Sequence, residues 1–494
     1  MVYWYRIEPE IIYFYSTSLN FIGGFPMIFI TIDRGQSISL TQQIYDQVRN
    51  GILEKHLKEG EKLPSSRELA GSIGVSRNIV LEAYERLIAE GYLEVRPKAG
   101  TFVALGTSLS FVERAMWKDT PRKISDNRKT YIDFKAGNPA IDYFPRKKWA
   151  QLTKEICLHS SVEAFGYGEA SGMKALKDVL VDYLKRVRGV QCRAEQIFIT
   201  SGATQGLKLI TEMLGKDNKT IAVEDPVTDE MRNIFTFSNA KIIPVPVDEN
   251  GIDPYRLPDQ SPSFVFVIPS HQFPLGGILS IQRRLQLIEY AEKMNCYIVE
   301  DDYDSEFTYE GAPVPSIQGI APNHVIYVGT FSKILSPGLR IGYVILPEEL
   351  VDSFELIKWF SDRHTSSLEQ LVLAQFIREG YLDRHVRKMK KIYREKRERL
   401  VSAIQHNFQD ATIIGKSAGM HLVVEIPGVD FRPSFIHKME QSGVKVYPIE
   451  QYSLEKGKHK ERIVMGYGGL SLEEIEKGVR LLRKAIEANG KSNF

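Results

Sequence analysis

The chain has 494 residues, 43% hydrophobic and 26% charged, which excludes a mainly disordered or fibrous protein and leaves room for roughly two to four domains. Its 64 Lys/Arg and 62 Asp/Glu sum to +2, so total charge argues neither for nor against nucleic acid, because opposite local patches cancel. Cys157, Cys192 and Cys296 form no CxxC pair, which disfavours a disulfide framework and a structural zinc site. No metal is expected, and a reducing cytoplasm fits best.

No charge occurs between Glu10 and Asp33. A membrane helix needs about 20 predominantly apolar residues, and Ser16, Thr17, Ser18, Asn20, Gly23, Gly24 and Pro26 interrupt this run. Glu8 and Glu10 with one arginine also suit a signal peptide poorly. Residues 1–35 therefore read as an N-terminal extension, non-native or disordered up to a more ordinary start at Met27, with no membrane association.

From Leu40 the pattern turns helical. Ile44, Val48, Ile52 and Leu53 share a face before Gly60 and Pro64 break it. Ser65 or Ser66 caps a short helix with Glu68 placed as in a capping box, and Gly74 ends it. Ser76 caps a third helix whose buried stripe is Val80, Ala83, Tyr84, Leu87 and Ile88, closed by Gly91. Strands at 92–95 and 101–103 then flank the basic tip 96–100, a wing after a helix-turn-helix. From Gln36 to Val103 nine Lys/Arg balance nine Asp/Glu, so a DNA-binding face must arise by segregation. Arg67, Ser76, Arg77, Asn78, Arg96 and Lys98 are its candidates, since Arg and Asn pair with base edges and a helix N-terminus meets phosphate.

The run Lys62-Leu63-Pro64-Ser65-Ser66-Arg67-Glu68-Leu69-Ala70, with Val75-Ser76-Arg77-Asn78 and Leu87-Ile88-Ala89-Glu90-Gly91-Tyr92-Leu93, resembles the winged helix-turn-helix of the GntR regulators. The resemblance assigns residues 36–104 to that domain and implies a double-stranded DNA operator as partner. Residues 105–130 follow as a linker, and in its window 114–129 Arg114, Lys118, Arg122, Lys123, Arg128 and Lys129 outnumber Asp119 and Asp126.

Over 131–494, buried strands at 197–199, 220–223, 264–268, 297–299 and 325–328 alternate with helices, an α/β pattern. Polar and glycine-rich segments cluster just after these strands, where open α/β sheets place ligands. Thr200-Ser201-Gly202-Ala203-Thr204-Gln205-Gly206 opens a helix and suits a phosphate. Glu300-Asp301-Asp302-Tyr303, Gly329-Thr330-Phe331-Ser332-Lys333 and Pro337-Gly338-Leu339-Arg340 add a carboxylate, an amine and a guanidinium. A lysine forms a Schiff base, a carboxylate keeps a pyridine nitrogen protonated, and an arginine with hydroxyls binds an ester phosphate. Pyridoxal 5'-phosphate meets all three demands.

These segments resemble the fold type I, aspartate aminotransferase-like enzymes. The resemblance implies an α/β large domain and a C-terminal α+β small domain. It implies Lys333 as the Schiff-base lysine, Asp301 as the pyridine partner, Tyr303 near the ring oxygen, and Ser201, Ala203, Thr204, Thr330, Ser332 and Arg340 around the phosphate. It further implies that Tyr167, in Tyr167-Gly168-Glu169, reaches the neighbouring subunit's cofactor and that Arg462 takes a ligand carboxylate. Two positions depart from the pattern. The Asn-Pro-Thr-Gly signature is His271-Gln272-Phe273-Pro274-Leu275-Gly276, which leaves His271 or Gln272 to replace the asparagine, and Thr228 stands where many relatives place a stacking aromatic.

A GntR module ahead of an aminotransferase-like domain resembles the MocR/GabR regulators. It implies a homodimer, exchanging domains head to tail, that senses an amino acid-like or amine effector. Two alternatives stay open, a working aminotransferase with a DNA-binding appendage and a regulator that senses pyridoxal phosphate itself. The basic segment 384–394 reads as a solvated helix face over Val386, Met389 and Tyr393, or else as a second DNA contact.

Overall fold

The computed structural model describes residues 30–107, 131–215, 220–311, 314–415 and 417–490. Most of the N-terminal extension and nearly all of the basic linker lie outside them. The chain divides into two compact units, Met1–Ile124 and Ser125–Phe494. Among the described residues no helix is long and apolar enough to cross a membrane.

In the first unit α1 (Leu40–Leu53), α2 (Ser66–Ile73) and α3 (Arg77–Ala89) precede β1 (Leu93–Arg96) and β2 (Gly100–Val103). Ser65 caps α2 in a full capping box with Glu68, and Gly74 closes it in the left-handed region. The antiparallel wing pairs Leu93 with Val103 and Arg96 with Gly100. Ile44, Val48, Leu69, Val80, Tyr84, Leu87, Leu93 and Val103 form one buried core, and the Tyr84 hydroxyl donates to the Pro64 carbonyl at 3.1 Å. Two details differ from the sequence reading. Leu53 is 46% exposed, because it lies a step around the helix from Ile52. Ser76 stands at the N-cap of α3 but makes no side-chain cap bond.

The second unit is built on an eight-stranded sheet. Its strands are β3 (Ile197–Thr200), β4 (Thr220–Asp225), β5 (Lys241–Asp248), β6 (Gly251–Ile252), β7 (Phe264–Val267), β8 (Tyr297–Asp302), β9 (Val325–Thr330) and β10 (Gly342–Ile345). The order is β3-β10-β9-β8-β7-β4-β5-β6. Strands β4, β5, β7, β8 and β9 are parallel, whereas β10 runs antiparallel between β9 and β3. Thr200 and Thr330 both pair with Gly342, so the ends of β3 and β9 meet at one edge beside the end of β8. Strands β3, β7 and β9 are buried throughout, as expected of a sheet covered on both faces.

A second sheet joins β11 (Thr412–Ile414), β12 (His421–Glu425), β13 (Tyr447–Pro448) and β14 (Arg462–Gly466) in the order β11-β12-β14-β13. With its helices it is the C-terminal α+β part read from the sequence. The basic segment lies in the 27-residue helix Tyr381–Asn407, which buries Leu382, His385, Met389 and Tyr393 and leaves Val386 half-buried.

The core of the first unit supplies a direct check. Leu87→Ala, at a fully buried position on α3, should destabilise that unit by about 2–5 kcal/mol. In urea unfolding followed by circular dichroism, an earlier transition for the first unit alone is expected. An unchanged midpoint would contradict this packing.

Candidate functional site

The second unit contains a cavity of about 530 Å³ at the sheet edge where β3, β8 and β9 end. Ala203, Thr204, Asp301, Tyr303, Thr330, Ser332, Lys333 and Arg340 all line it. Residues predicted from segments more than 130 positions apart thus share one wall.

Asp301 is the last residue but one of β8, and its Oδ1 is buried with no hydrogen-bond partner. Burial, then the charges of Asp302, Glu230 and Asp304, push its carboxyl up to about 8, with Lys333 opposing. Near neutral pH it is mostly protonated, so it brings a proton to the cavity that a pyridine nitrogen can share. Its neighbour Asp302 points elsewhere, paired with Arg188 at 2.6 Å and accepting from the Tyr327 hydroxyl. Adjacent carboxylates on one strand face opposite sides, and only Asp301 lines the cavity.

Lys333 follows β9, and its Nζ donates to the Gly137 carbonyl at 2.7 Å. Burial lowers its pKa, against the raising effect of Glu230, Asp304 and Asp301. A lowered pKa increases the neutral amine available to attack a carbonyl.

The phosphate end is made by α4 (Ala203–Leu214), which starts behind Gly202 with no side-chain cap. Gly202 has φ of +86° and ψ of 170°, a backbone conformation that favours glycine, and the Arg340 guanidinium lies beside it. Arg340 Nη2 donates to the Ser201 carbonyl at 2.8 Å, and Thr330 Oγ1 donates to Ser332 Oγ at 3.0 Å. Ser201 therefore supports the cradle through its backbone and is not a lining residue.

His271, Gln272 and Arg462 land away from the cavity lining. His271 is fully buried behind the wall, with Nδ1 3.2 Å from Asp304 Oδ2, and its carbonyl accepts from the Tyr303 hydroxyl at 3.1 Å. It does not line the cavity itself but packs behind Asp304, Tyr303 and His421, which do. Gln272 is tied to Glu224 and to the Pro226 and Phe273 carbonyls. Arg462 is paired with Glu425 at 2.8 Å, its cross-strand partner on β12, and does not line the cavity. Tyr167, also outside the lining, is 79% exposed with the Arg363 guanidinium 4.2 Å above its ring. Thr228 lines the cavity but serves as the N-cap of α5 (Asp229–Phe237), accepting from the Met231 N–H at 3.1 Å.

The wall also holds residues the sequence reading did not name, among them Lys135, Gly137, Glu230, His421, Tyr447 and Tyr452. Asp304 was visible within the acidic run after β8. His421 had no local signal. It is buried on β12, its ring 4.5 Å from that of His271, and burial followed by His271 holds its pKa well below the ordinary value.

An orphaned carboxyl oxygen, a half-buried lysine and a glycine-lined helix start with hydroxyls and a guanidinium fit the pyridine nitrogen, aldehyde and phosphate of pyridoxal phosphate.

In the first unit Arg67, Ser76, Arg77, Asn78, Arg96 and Lys98 are all exposed. Arg77 Nε donates to Ser66 Oγ at 3.3 Å, which ties the start of α3 to α2. Arg96 is partly engaged, 2.7 Å from Glu94 and stacked on Phe102, while Lys98 sits at the wing tip with φ of +64°.

The buried acid yields a pH-dependent prediction. Asp301 ordinarily titrates near 3.8 but stays protonated in the folded chain up to about 8. Folding therefore takes up a proton in that window, and stability is lost as pH rises through it. Cofactor-free Asp301→Asn should be more stable than wild type at pH 8 by about 2–5 kcal/mol, with the gap narrowing toward pH 5. An equal gap at both values would contradict an unpaired acid.

Comparison with known proteins agrees with this architecture. Residues 40–103 match the model for bacterial regulatory proteins of the gntR family, and residues 129–482 match aminotransferase class I and II. The chain is 35% identical to the uncharacterized HTH-type transcriptional regulator YdeL of Bacillus subtilis, over 92% of this chain and 98% of that protein. It is 34% identical to the probable rhizopine catabolism regulatory protein MocR of Rhizobium meliloti, over 93% of this chain and 96% of that one. To the pyridoxine biosynthesis regulator PdxR of Corynebacterium glutamicum it is 29% identical over 80% and 85%. Among solved structures, Pyrococcus horikoshii kynurenine aminotransferase superposes with a TM-score of 0.68 at 26% identity, covering 73% of this chain and 92% of that one. LysN, the α-aminoadipate aminotransferase of Thermus thermophilus solved with a phosphopyridoxyl-leucine adduct, gives 0.67 at 25% identity over 73% and 93%. The chain belongs to the MocR-type GntR transcriptional regulators, which join a winged helix-turn-helix to a pyridoxal phosphate-binding aminotransferase class I and II domain.

Proposed function

We propose that this regulator senses an amino acid-like or amine ligand at the cavity of its second unit, through pyridoxal phosphate held on Lys333, and passes the change to operator binding by its first unit. The observation that carries the reading is the shared cavity lining, which brings Lys333 and Asp301 together with an uncapped helix start. Pyridoxal phosphate, when bound, supplies an aldehyde that condenses with amines and a ring that withdraws electrons. The chain's residues supply the rest. Asp301 would share its proton with the pyridine nitrogen, Tyr303 would lie by the ring oxygen, and Ala203, Thr204, Thr330, Ser332 and Arg340 would hold the phosphate. Lys333 would be the amine that holds the aldehyde, and a ligand amine would compete with it for that group, which would change the lysine's contact with Gly137. A ligand that shifts an equilibrium must contact two states differently, and this exchange provides that difference.

Arg462 would take a ligand carboxylate in competition with Glu425, which already holds its Nε, with Lys135 as a further cation in the wall. The exposed Tyr167 beside Arg363 supports a homodimer in which this phenol completes the partner's phosphate site. On the DNA side, Arg77 and Asn78 read bases from the start of α3, while Arg67, Ser76, Arg96 and Lys98 hold the backbone. A second reading, in which pyridoxal phosphate is itself the signal, draws support from the similarity to the pyridoxine biosynthesis regulator.

Lys333→Ala should keep operator affinity but lose the response to amines, measured by fluorescence anisotropy of labelled operator DNA. A variant that still responds would overturn the lysine-exchange route. Arg77→Ala should weaken specific operator binding by about 1–3 kcal/mol at fixed salt, with little effect on binding to unrelated duplex. Equal loss on both would make Arg77 a backbone contact. Mixed with an amino acid and a keto acid, the wild type should show spectral conversion without sustained turnover. Steady turnover would favour a working aminotransferase.

A further inference from the structure

Two helix starts meet in the cavity wall. α4 begins at Ala203 without a side-chain cap, and α5 carries Asp229 and Glu230 in its first turn behind the Thr228 cap. Between them the Thr204 hydroxyl donates to Glu230 Oε1 at 2.8 Å. Both side chains line the cavity together with Ser332, Lys333 and Arg340. An uncapped helix start with a hydroxyl and a guanidinium is an anion site, and the anion seated on its hydroxyl is the chain's own carboxylate.

A hydroxyl has one proton to give, so Thr204 serves Glu230 or an ester phosphate but not both. A phosphate of about −1.5 to −2 charge also repels a carboxylate held on the same ligand. We propose that Glu230 is an internal competitor of the cofactor's phosphate, whose displacement from Thr204 sets how readily the protein loads and releases pyridoxal phosphate. The inference rests on the reading of Thr204 as a phosphate ligand. Glu230 works against loading at the amine as well, because after burial its charge is the largest influence on Lys333 and favours the ammonium form. The anion that a cofactor-retaining enzyme would exclude from its phosphate cradle is built into this one. The consequence is a cofactor held loosely enough for its occupancy to follow its concentration.

The test is equilibrium dialysis of full-length wild type, Glu230→Gln and Thr204→Val against pyridoxal phosphate and against pyridoxal, which lacks the phosphate. Gln keeps the size of the exposed Glu230 side chain and removes its charge, and urea midpoints verify that each variant is folded. Glu230→Gln should tighten pyridoxal phosphate about tenfold, the scale of one partly solvated charge pair, and tighten pyridoxal less. Thr204→Val should weaken pyridoxal phosphate. If Thr204→Val weakens binding but Glu230→Gln leaves it unchanged or weaker, the competitor role fails and the phosphate cradle stands. If Thr204→Val has no effect, the underlying reading of Thr204 fails and the competitor role fails with it.

Discussion

A carboxyl group buried at the end of a strand with an unpartnered oxygen is expensive, and Asp301 is such a group. The second unit tolerates it by keeping it protonated near neutral pH and by pairing the neighbouring Asp302 with Arg188 on the other side of the strand. Two carboxylates ionised side by side in this interior would repel each other strongly. One is neutralised by a proton and the other by a guanidinium. The proton is then held at the cavity, where a heteroaromatic nitrogen can share it.

The sheet order places the other groups around that acid. Because β10 runs antiparallel between β3 and β9, Gly342 faces both Thr200 and Thr330 and draws two strand ends together. A Cβ at Gly342 would stand 2.7 Å from the Gly202 backbone, so the phosphate loop can lie against the sheet only over a glycine. Lys333 leaves β9 at the same edge as Asp301 leaves β8. The amine, the acid and the anion cradle are consequences of one strand arrangement, with the C-terminal sheet supplying His421 and Tyr447 to the lining.

Much of this was legible in the sequence, for a physical reason. Short buried strands followed by small or polar residues mark strand ends in an open α/β sheet, and that pattern located Thr204, Asp301, Tyr303, Ser332, Lys333 and Arg340. The winged helix-turn-helix was equally legible, since the Ser65–Glu68 box, Gly74 and Gly91 punctuate its helices. What stayed hidden depends on contacts between distant segments. Glu425 neutralises Arg462 from an adjacent strand, and His271 is drawn behind the wall by Asp304. Glu230 has no local signal of its own, and only the fold brings it 2.8 Å from Thr204.

The central claim is that chemistry at Lys333 changes operator binding. It is tested most directly by following the operator affinity of the full-length protein while pyridoxal phosphate is added alone and candidate amines are added afterwards. The account predicts a second shift in affinity when an amine is added to the cofactor-loaded protein, and none when the same amine is added without cofactor. Operator affinity that is indifferent to amines in the loaded protein would contradict it.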